Sequence, residues 1–251
     1  MNPPDAPKRA AVDAVPLFPV LIARLSFFAV AQAGVALALT AAGERDPLAA
    51  SAAWWPLTAA AANLVTIAML ARLARREGMR LVDLYRSRIP GGIGGDVRAL
   101  LVVLLLAAPI AYLPNVGLAT LLFGDAAVAL DMFVQPLPVW AAVAGMVVFP
   151  VTIAFAELPT YFGYAMPRLE ARWGSAPAAV ATAAFFLAIQ HVTLPFIADW
   201  RFVLWRALMF VPFALLVGVA IRRRPRLLPY LMVVHALIDF AAVQPVFAAS
   251  V

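Results

Sequence analysis

An all-α, polytopic transmembrane helical bundle of about seven spans, with limits of six and eight, is the fold this sequence predicts. Two observations carry that expectation. Of 251 residues, 65% are hydrophobic and only 13% charged, and the mean hydropathy is +0.94. Ordinary soluble domains hold nearer ~45–50% apolar residues. The apolar residues also fall in runs long enough to cross a bilayer, each of which needs ~20 residues. The chain has no cysteine, which excludes disulfides, a thiol nucleophile and a thiolate metal site.

Residues 1–15 read as a cytoplasmic tail, and 16–251 as one integral-membrane domain. A first apolar run extends from Pro16 to Ala42, with Arg24 expected to snorkel to the interface. Ala31-Gln-Ala33 resembles a signal-peptidase site, but the run far exceeds an h-region of about 7–15 residues, so an uncleaved span is expected. After the polar turn Glu44–Pro47, a second span covers Leu48 to Leu73, with Trp54 and Trp55 suited to an interfacial belt. The stretch from Arg72 to Arg98 holds seven arginines and reads as a surface helix, Leu73 to Tyr85, followed by the glycine loop Pro90–Gly95. A third span runs from Ala99 to Phe123, interrupted by Pro109 and Pro114. The fourth is read over Val147 to Met166, its start blurred by Pro138 and Pro150. Spans five to seven cover Ala178–Ile197, Phe202–Ile221 and Leu227–Phe247.

The net charge of +6 comes mostly from arginines in connections between spans. They alternate: Lys8 and Arg9, the seven-arginine segment, Arg168 with Arg172, and Arg222–Arg226 occupy every second connection. Topology therefore explains the charge, and no nucleic-acid partner is expected. The N-terminus is expected in the cytoplasm of a multi-pass cell-membrane protein.

Glu157 lies mid-span in the fourth run, at a depth where a charge costs several kcal/mol unless it is paired, protonated or hydrated. The chain's only two histidines, His191 and His235, also fall inside apolar runs. Asp239 follows His235 by one helical turn, on the same face. Pro159 cannot donate to the carbonyl of Phe155, so a kink is expected beside Glu157. Taken singly, each residue has a bland reading: a protonated structural Glu157, histidines as interhelical glue, Asp239 orienting His235. Arg206 reads as an interfacial snorkelling residue, and Tyr161 and Tyr164 as packing. Together, one Glu, two His and one Asp at membrane depth look like a hydrolytic site. The early spans, which carry no deep acid or histidine, read as scaffold and access route.

The segment Glu157-Leu-Pro-Thr-Tyr-Phe162-Gly163-Tyr164-Ala-Met-Pro167-Arg168-Leu169, then His191, then His235-Ala-Leu-Ile-Asp239, resembles the CPBP intramembrane metalloproteases. That group contains the type II CAAX prenyl proteases and bacterial Abi proteins. Its pattern is Glu-Glu-x-x-x-Arg, commonly continuing Gly-Tyr-x-x-Pro-Arg-Leu, then Phe-x-x-x-His, then His-x-x-x-Asn/Asp. The resemblance covers about 147–248. Leu158 replaces the second Glu, Phe162 the Arg, and Leu187 the Phe.

The resemblance implies an intramembrane endopeptidase whose water is activated by Glu157 as base, with His191 binding the water or a metal, and His235 and Asp239 positioning a ligand or stabilising an oxyanion. It leaves open a Zn²⁺ held by Glu157, His191 and His235. The implied partners are the lipid bilayer and a membrane-associated peptide or protein substrate, lipidation not being specified. Two alternatives stand beside it. One is a catalytically inactive binding or chaperone-like protein on the same fold, favoured by Leu158 and Phe162. The other is an ion-coupled transporter, disfavoured by the lack of an internal repeat.

Overall fold

The computed structural model describes residues 16–86 and 92–251. The expected tail, 1–15, lies outside these, as does part of the expected glycine loop. The described residues form twelve α-helices in chain order: α1 (Leu17–Ala41), α2 (Pro47–Ala52), α3 (Trp55–Arg76), α4 (Val82–Tyr85), α5 (Ile93–Phe123), α6 (Ala126–Phe133), α7 (Val139–Leu158), α8 (Met166–Trp173), α9 (Ala176–Ile189), α10 (Trp200–Leu208), α11 (Val211–Arg223) and α12 (Leu228–Ser250). Seven helical stretches are long and apolar enough to cross a membrane. The chain is thus an all-α, multi-pass membrane bundle.

Several boundaries differ from those expected, each for a local reason. The second span breaks at Ala53–Trp54, where Pro56 opens α3 in its first turn. The expected surface helix does not form as one piece: α3 continues to Arg76, Gly78 turns the chain with φ of 69°, and only Val82–Tyr85 is helical beyond. The first turn of α5 absorbs the end of the glycine stretch. Neither Pro109 nor Pro114 interrupts that 31-residue helix. The connection after it contains α6, capped by the Asp125 side chain accepting from the N–H of Ala127 at 2.9 Å. The sixth span is divided at Met209–Phe210, just ahead of Pro212.

The backbone after Pro159 is not regular α-helix. It widens into a π-helical segment, Pro159–Ala165, that leads directly into α8. The Phe155 carbonyl, deprived of its usual donor, accepts from the Tyr85 hydroxyl at 3.3 Å. Burial pushes the Tyr85 phenol up to about 12, so it remains a donor. Thr160 Oγ1 in turn donates to the Ala156 carbonyl at 2.6 Å.

Helix α7 is the central column, packed on α3 and on α12, while α9 packs on α11 and α1 on α3. Small residues permit the closest approaches. A Cβ on Gly145 of α7 would sit 2.8 Å from the Pro56 Cβ, and one on Gly218 of α11 would sit 2.8 Å from the Phe162 ring.

Ion pairs tie the connections into two ends. At one, Arg168 pairs with Glu77, which also accepts from the Tyr164 hydroxyl at 2.7 Å. There too Arg222 pairs with Glu170 at 2.5 Å and Arg226 with Asp96 at 2.7 Å. At the other end Arg201 pairs with Asp199 at 2.7 Å. The arginine-rich connections therefore share one end of the bundle, as their alternation along the chain requires.

Two outcomes are expected. Single cysteines at Arg80 and Ala126, in a chain otherwise free of cysteine, label from opposite faces of a sealed vesicle; labelling from one face would refute the span count. Gly145→Ala lowers the unfolding temperature through overpacking against Pro56, equivalent to about 1–3 kcal/mol, whereas Gly117→Ala, which meets nothing within 4 Å, does not.

Candidate active site

Glu157 ends α7, where it is 1% exposed. His191 lies in a 3₁₀ turn, Gln190–Thr193, that terminates the fifth span, rather than mid-helix as expected. His235 and Asp239 lie on α12. The structure brings all four together. His235 Nε2 is 3.1 Å from Glu157 Oε1 and 3.2 Å from Asp239 Oδ2. His191 Nε2 is 3.9 Å from Glu157 Oε2, too long for a direct hydrogen bond.

The tautomer of His191 follows from its surroundings. Its Nδ1 is 3.1 Å from the Ala188 carbonyl, which can only accept, so Nδ1 carries the proton. In the neutral ring this leaves Nε2 a lone-pair acceptor turned toward Glu157. The ring packs on Phe210 with centroids 4.1 Å apart.

Two site atoms are buried and lack an aligned hydrogen-bond partner: His235 Nε2 and Asp239 Oδ2. Both approach carboxylate or imidazole atoms closely, but not along hydrogen-bonding directions. Unsatisfied buried polar atoms cost about 1–3 kcal/mol each. The His235 side chain also borders an apolar void of about 30 Å³ between α5 and α12, lined besides by Val103, Leu158 and Phe213. His235 and Asp239 side chains are 13% and 16% exposed, against 1% for Glu157. The site is therefore open on the α12 side and closed behind Glu157.

What closes it is a polar network outside the sequence-derived set. Arg24 does not snorkel: it is fully buried, because its guanidinium finds partners in the interior. Nη2 is 3.4 Å from Glu157 Oε2, Nη1 donates to Asn63 Oδ1 at 2.8 Å, and Nε donates to Gln190 Oε1 at 2.6 Å. Gln190 Nε2 donates to Glu157 Oε2 at 2.7 Å, and Asn63 Nδ2 to Thr152 Oγ1 at 3.1 Å. The Tyr161 hydroxyl, on the π-helical segment, lies 3.2 Å from Gln190 Oε1, so Tyr161 is more than packing. Arg206 is likewise buried, 5% exposed, and donates to the carbonyls of His191 and Leu194 at 3.2 and 2.5 Å. It holds the turn that carries His191. The early spans thus reach the site, through Arg24 on α1 and Asn63 on α3.

Leu158 and Phe162, the departures from the resembled pattern, are 3% and 1% exposed and belong to the apolar core. The guanidinium on Glu157 comes instead from a different helix, α1.

The donor set does not fit a zinc ion as arranged. Among the described residues no group of three or more His, Asp or Glu side chains is spaced to hold a metal. Glu157 Oε2 is engaged by Gln190 and faces the Arg24 cation, so it does not present a free ligand lone pair toward His191.

Neither a family model, nor a curated protein, nor a solved structure matches the chain.

The Arg24–Glu157 contact has a measurable signature. Arg24→Met strands a buried carboxylate and lowers stability by about 3–5 kcal/mol. Adding Glu157→Gln to Arg24→Met recovers most of the loss in thermal or denaturant unfolding. Strictly additive losses would show that the two charges are not a pair.

Proposed function

We propose that the chain is an intramembrane endopeptidase of the CPBP type, resident in the cell membrane with its N-terminus in the cytoplasm. The observation that carries the reading is the convergence of Glu157, His191, His235 and Asp239 from three spans: His235 Nε2 lies within 3.2 Å of an oxygen of each carboxylate, His191 Nε2 lies 3.9 Å from Glu157 Oε2, and His235 Nε2 and Asp239 Oδ2 are buried without aligned partners. Such groups at membrane depth are functional by default, and their chemistry is that of water activation. Their order along the chain adds the likeness to the CPBP pattern.

In this reading a water that enters from the α12 side is held against Glu157 Oε1 and the His235 imidazole. Glu157 takes one of its protons as the oxygen attacks the substrate carbonyl carbon. His235, which lies beside Asp239, faces the developing oxyanion as a donor when its Nε2 is protonated. Collapse of the tetrahedral intermediate breaks the C–N bond. The proton held by Glu157 passes to the leaving nitrogen, giving a free carboxylate and a free amine. Arg24 and Gln190 hold Oε2, leaving Oε1 as the oxygen directed toward the α12 opening. The substrate class is a membrane-associated peptide or protein, which reaches the opening beside α12 from within the bilayer.

One observation favours a second reading. Glu157 is almost wholly enclosed and clasped by Arg24 and Gln190, while Leu158 and Phe162 are packed as core. That is the arrangement of a non-catalytic binding or chaperone-like protein that keeps a polar interior for specificity.

The two readings separate on purified protein incubated with a library of membrane-resident peptides, with and without chelator. Glu157→Gln, His191→Ala and His235→Ala each lower cleavage by about 100- to 10,000-fold. Their combinations add little, because groups acting as a unit are non-additive. Asp239→Asn is milder, since an amide keeps the side chain's size and an oxygen beside His235. Chelator leaves the rate unchanged. Absence of cleavage by folded wild-type protein would remove the protease reading in favour of the second, and full activity in folded Glu157→Gln protein would remove Glu157 as the base.

A further inference from the structure

We propose that the groove between α5 and α11 at the arginine-rich end of the bundle is a binding site for an anionic phospholipid. The groove measures about 590 Å³, within the roughly 300–1,000 Å³ range of ligand pockets. Its upper rim carries Arg98 from α5 and Arg223 and Arg224 from the end of α11; its walls below are apolar, with Val102, Leu106 and Leu216. Positive charge above an apolar trough matches the two halves of a phospholipid, with phosphate at the guanidiniums and an acyl chain along the walls.

Charge balance distinguishes this groove from its neighbours. No carboxylate lines it. Among the described residues neither Arg98 nor Arg223 has an ion pair, while Arg224 donates from Nη1 to the Gly95 carbonyl at 2.8 Å. That bond fixes the rim without neutralising it. The groove on the other face of α5 contains Arg86 and Arg226 but also the carboxylate of Asp96, which pairs with Arg226 at 2.7 Å. The groove between α1 and α3 is larger, about 690 Å³, yet contains a single arginine, Arg76. Other arginines at this end, Arg168 and Arg222, are paired with Glu77 and Glu170. Three uncompensated guanidiniums over one apolar trough occur here alone among these grooves. Small residues at the rim, Gly95, Ala99 and Ala220, keep the trough open beneath them.

The occupant is a phospholipid with a net negative headgroup rather than a zwitterionic one. A choline headgroup would bring its own cation beside three others, whereas a phosphatidylglycerol headgroup leaves the phosphate charge uncompensated for the arginines. With roughly a tenfold effect or somewhat less per guanidinium, the preference is on the order of 100-fold.

The experiment titrates the full-length protein in detergent micelles with phosphatidylglycerol and with phosphatidylcholine of identical chains, counting bound lipids by native mass spectrometry. The proposal expects one phosphatidylglycerol to bind about 100-fold more tightly than phosphatidylcholine. It expects the double variant Arg98→Gln/Arg223→Gln, which leaves the Arg224–Gly95 contact in place, to lose most of that preference. Leu216→Trp, which fills the trough and keeps all three charges, is expected to weaken phosphatidylglycerol binding as well. Arg75→Gln/Arg76→Gln, altering charge elsewhere on the same end, is expected to have little effect. Equal binding of the two lipids would overturn the proposal. So would full retention by Leu216→Trp, which would mark diffuse charge attraction, or an equal loss in Arg75→Gln/Arg76→Gln.

Discussion

A carboxylate at the depth of Glu157 is tolerable only when something of opposite charge is buried with it, and that constraint organises the molecule. Arg24 supplies the charge from α1, and each of its three nitrogens finds an oxygen: Glu157, Asn63 or Gln190. Meeting those partners requires α1 and α3 to pack against the end of α7, and requires the fifth span to stop at Gln190. A guanidinium is suited to this role because its planar fork serves several acceptors at once and stays protonated in protein interiors. A lysine at this position would supply a point charge but could not reproduce the three-way geometry.

The same constraint explains where the backbone departs from regular α-helix. The π-helical segment after Glu157 carries Tyr161 toward Gln190, and the 3₁₀ turn at Gln190–Thr193 brings Gln190 Nε2 to 2.7 Å and His191 Nε2 to 3.9 Å from Glu157 Oε2. Irregular backbone at membrane depth is tolerated only where protein or trapped water satisfies its polar groups. Here Tyr85, Thr160 and Arg206 do so, bonding to the carbonyls of Phe155, Ala156, His191 and Leu194. The irregularities are therefore supported by specific side chains and concentrated around the polar cluster. Helix α12, by contrast, carries His235 and Asp239 on a regular helix and leaves them partly open.

Much of this was legible in the sequence, because hydropathy and arginine alternation are one-dimensional signals. The seven spans, and the arginine-rich connections sharing one end, follow from them directly. So did the principal site residues: ionisable groups are rare enough in apolar runs that Glu157, His191, His235 and Asp239 stood out individually. Arg24 was visible but misjudged. Its position about two turns into a helix fits snorkelling as well as burial, and only the partners on α3, α7 and the 3₁₀ turn decide between them. Asn63 and Gln190 gave a weaker signal, each a lone amide in an apolar stretch, and Gln190 was overshadowed by the histidine beside it. Helix breaks were misplaced for a related reason. Proline marks a position where a hydrogen bond is lost, but not whether the helix continues, as through Pro109 and Pro114, or widens, as at Pro159.

The central claim is that the enclosed polar cluster directs water onto a peptide bond. It is tested most directly by incubating the purified wild-type protein with membrane-resident peptides in ¹⁸O-enriched water and weighing the products. The account predicts paired fragments whose masses sum to substrate plus one water, with one ¹⁸O in the newly formed carboxylate. Folded, membrane-inserted protein that yields no fragment pair from any peptide in the set would contradict it.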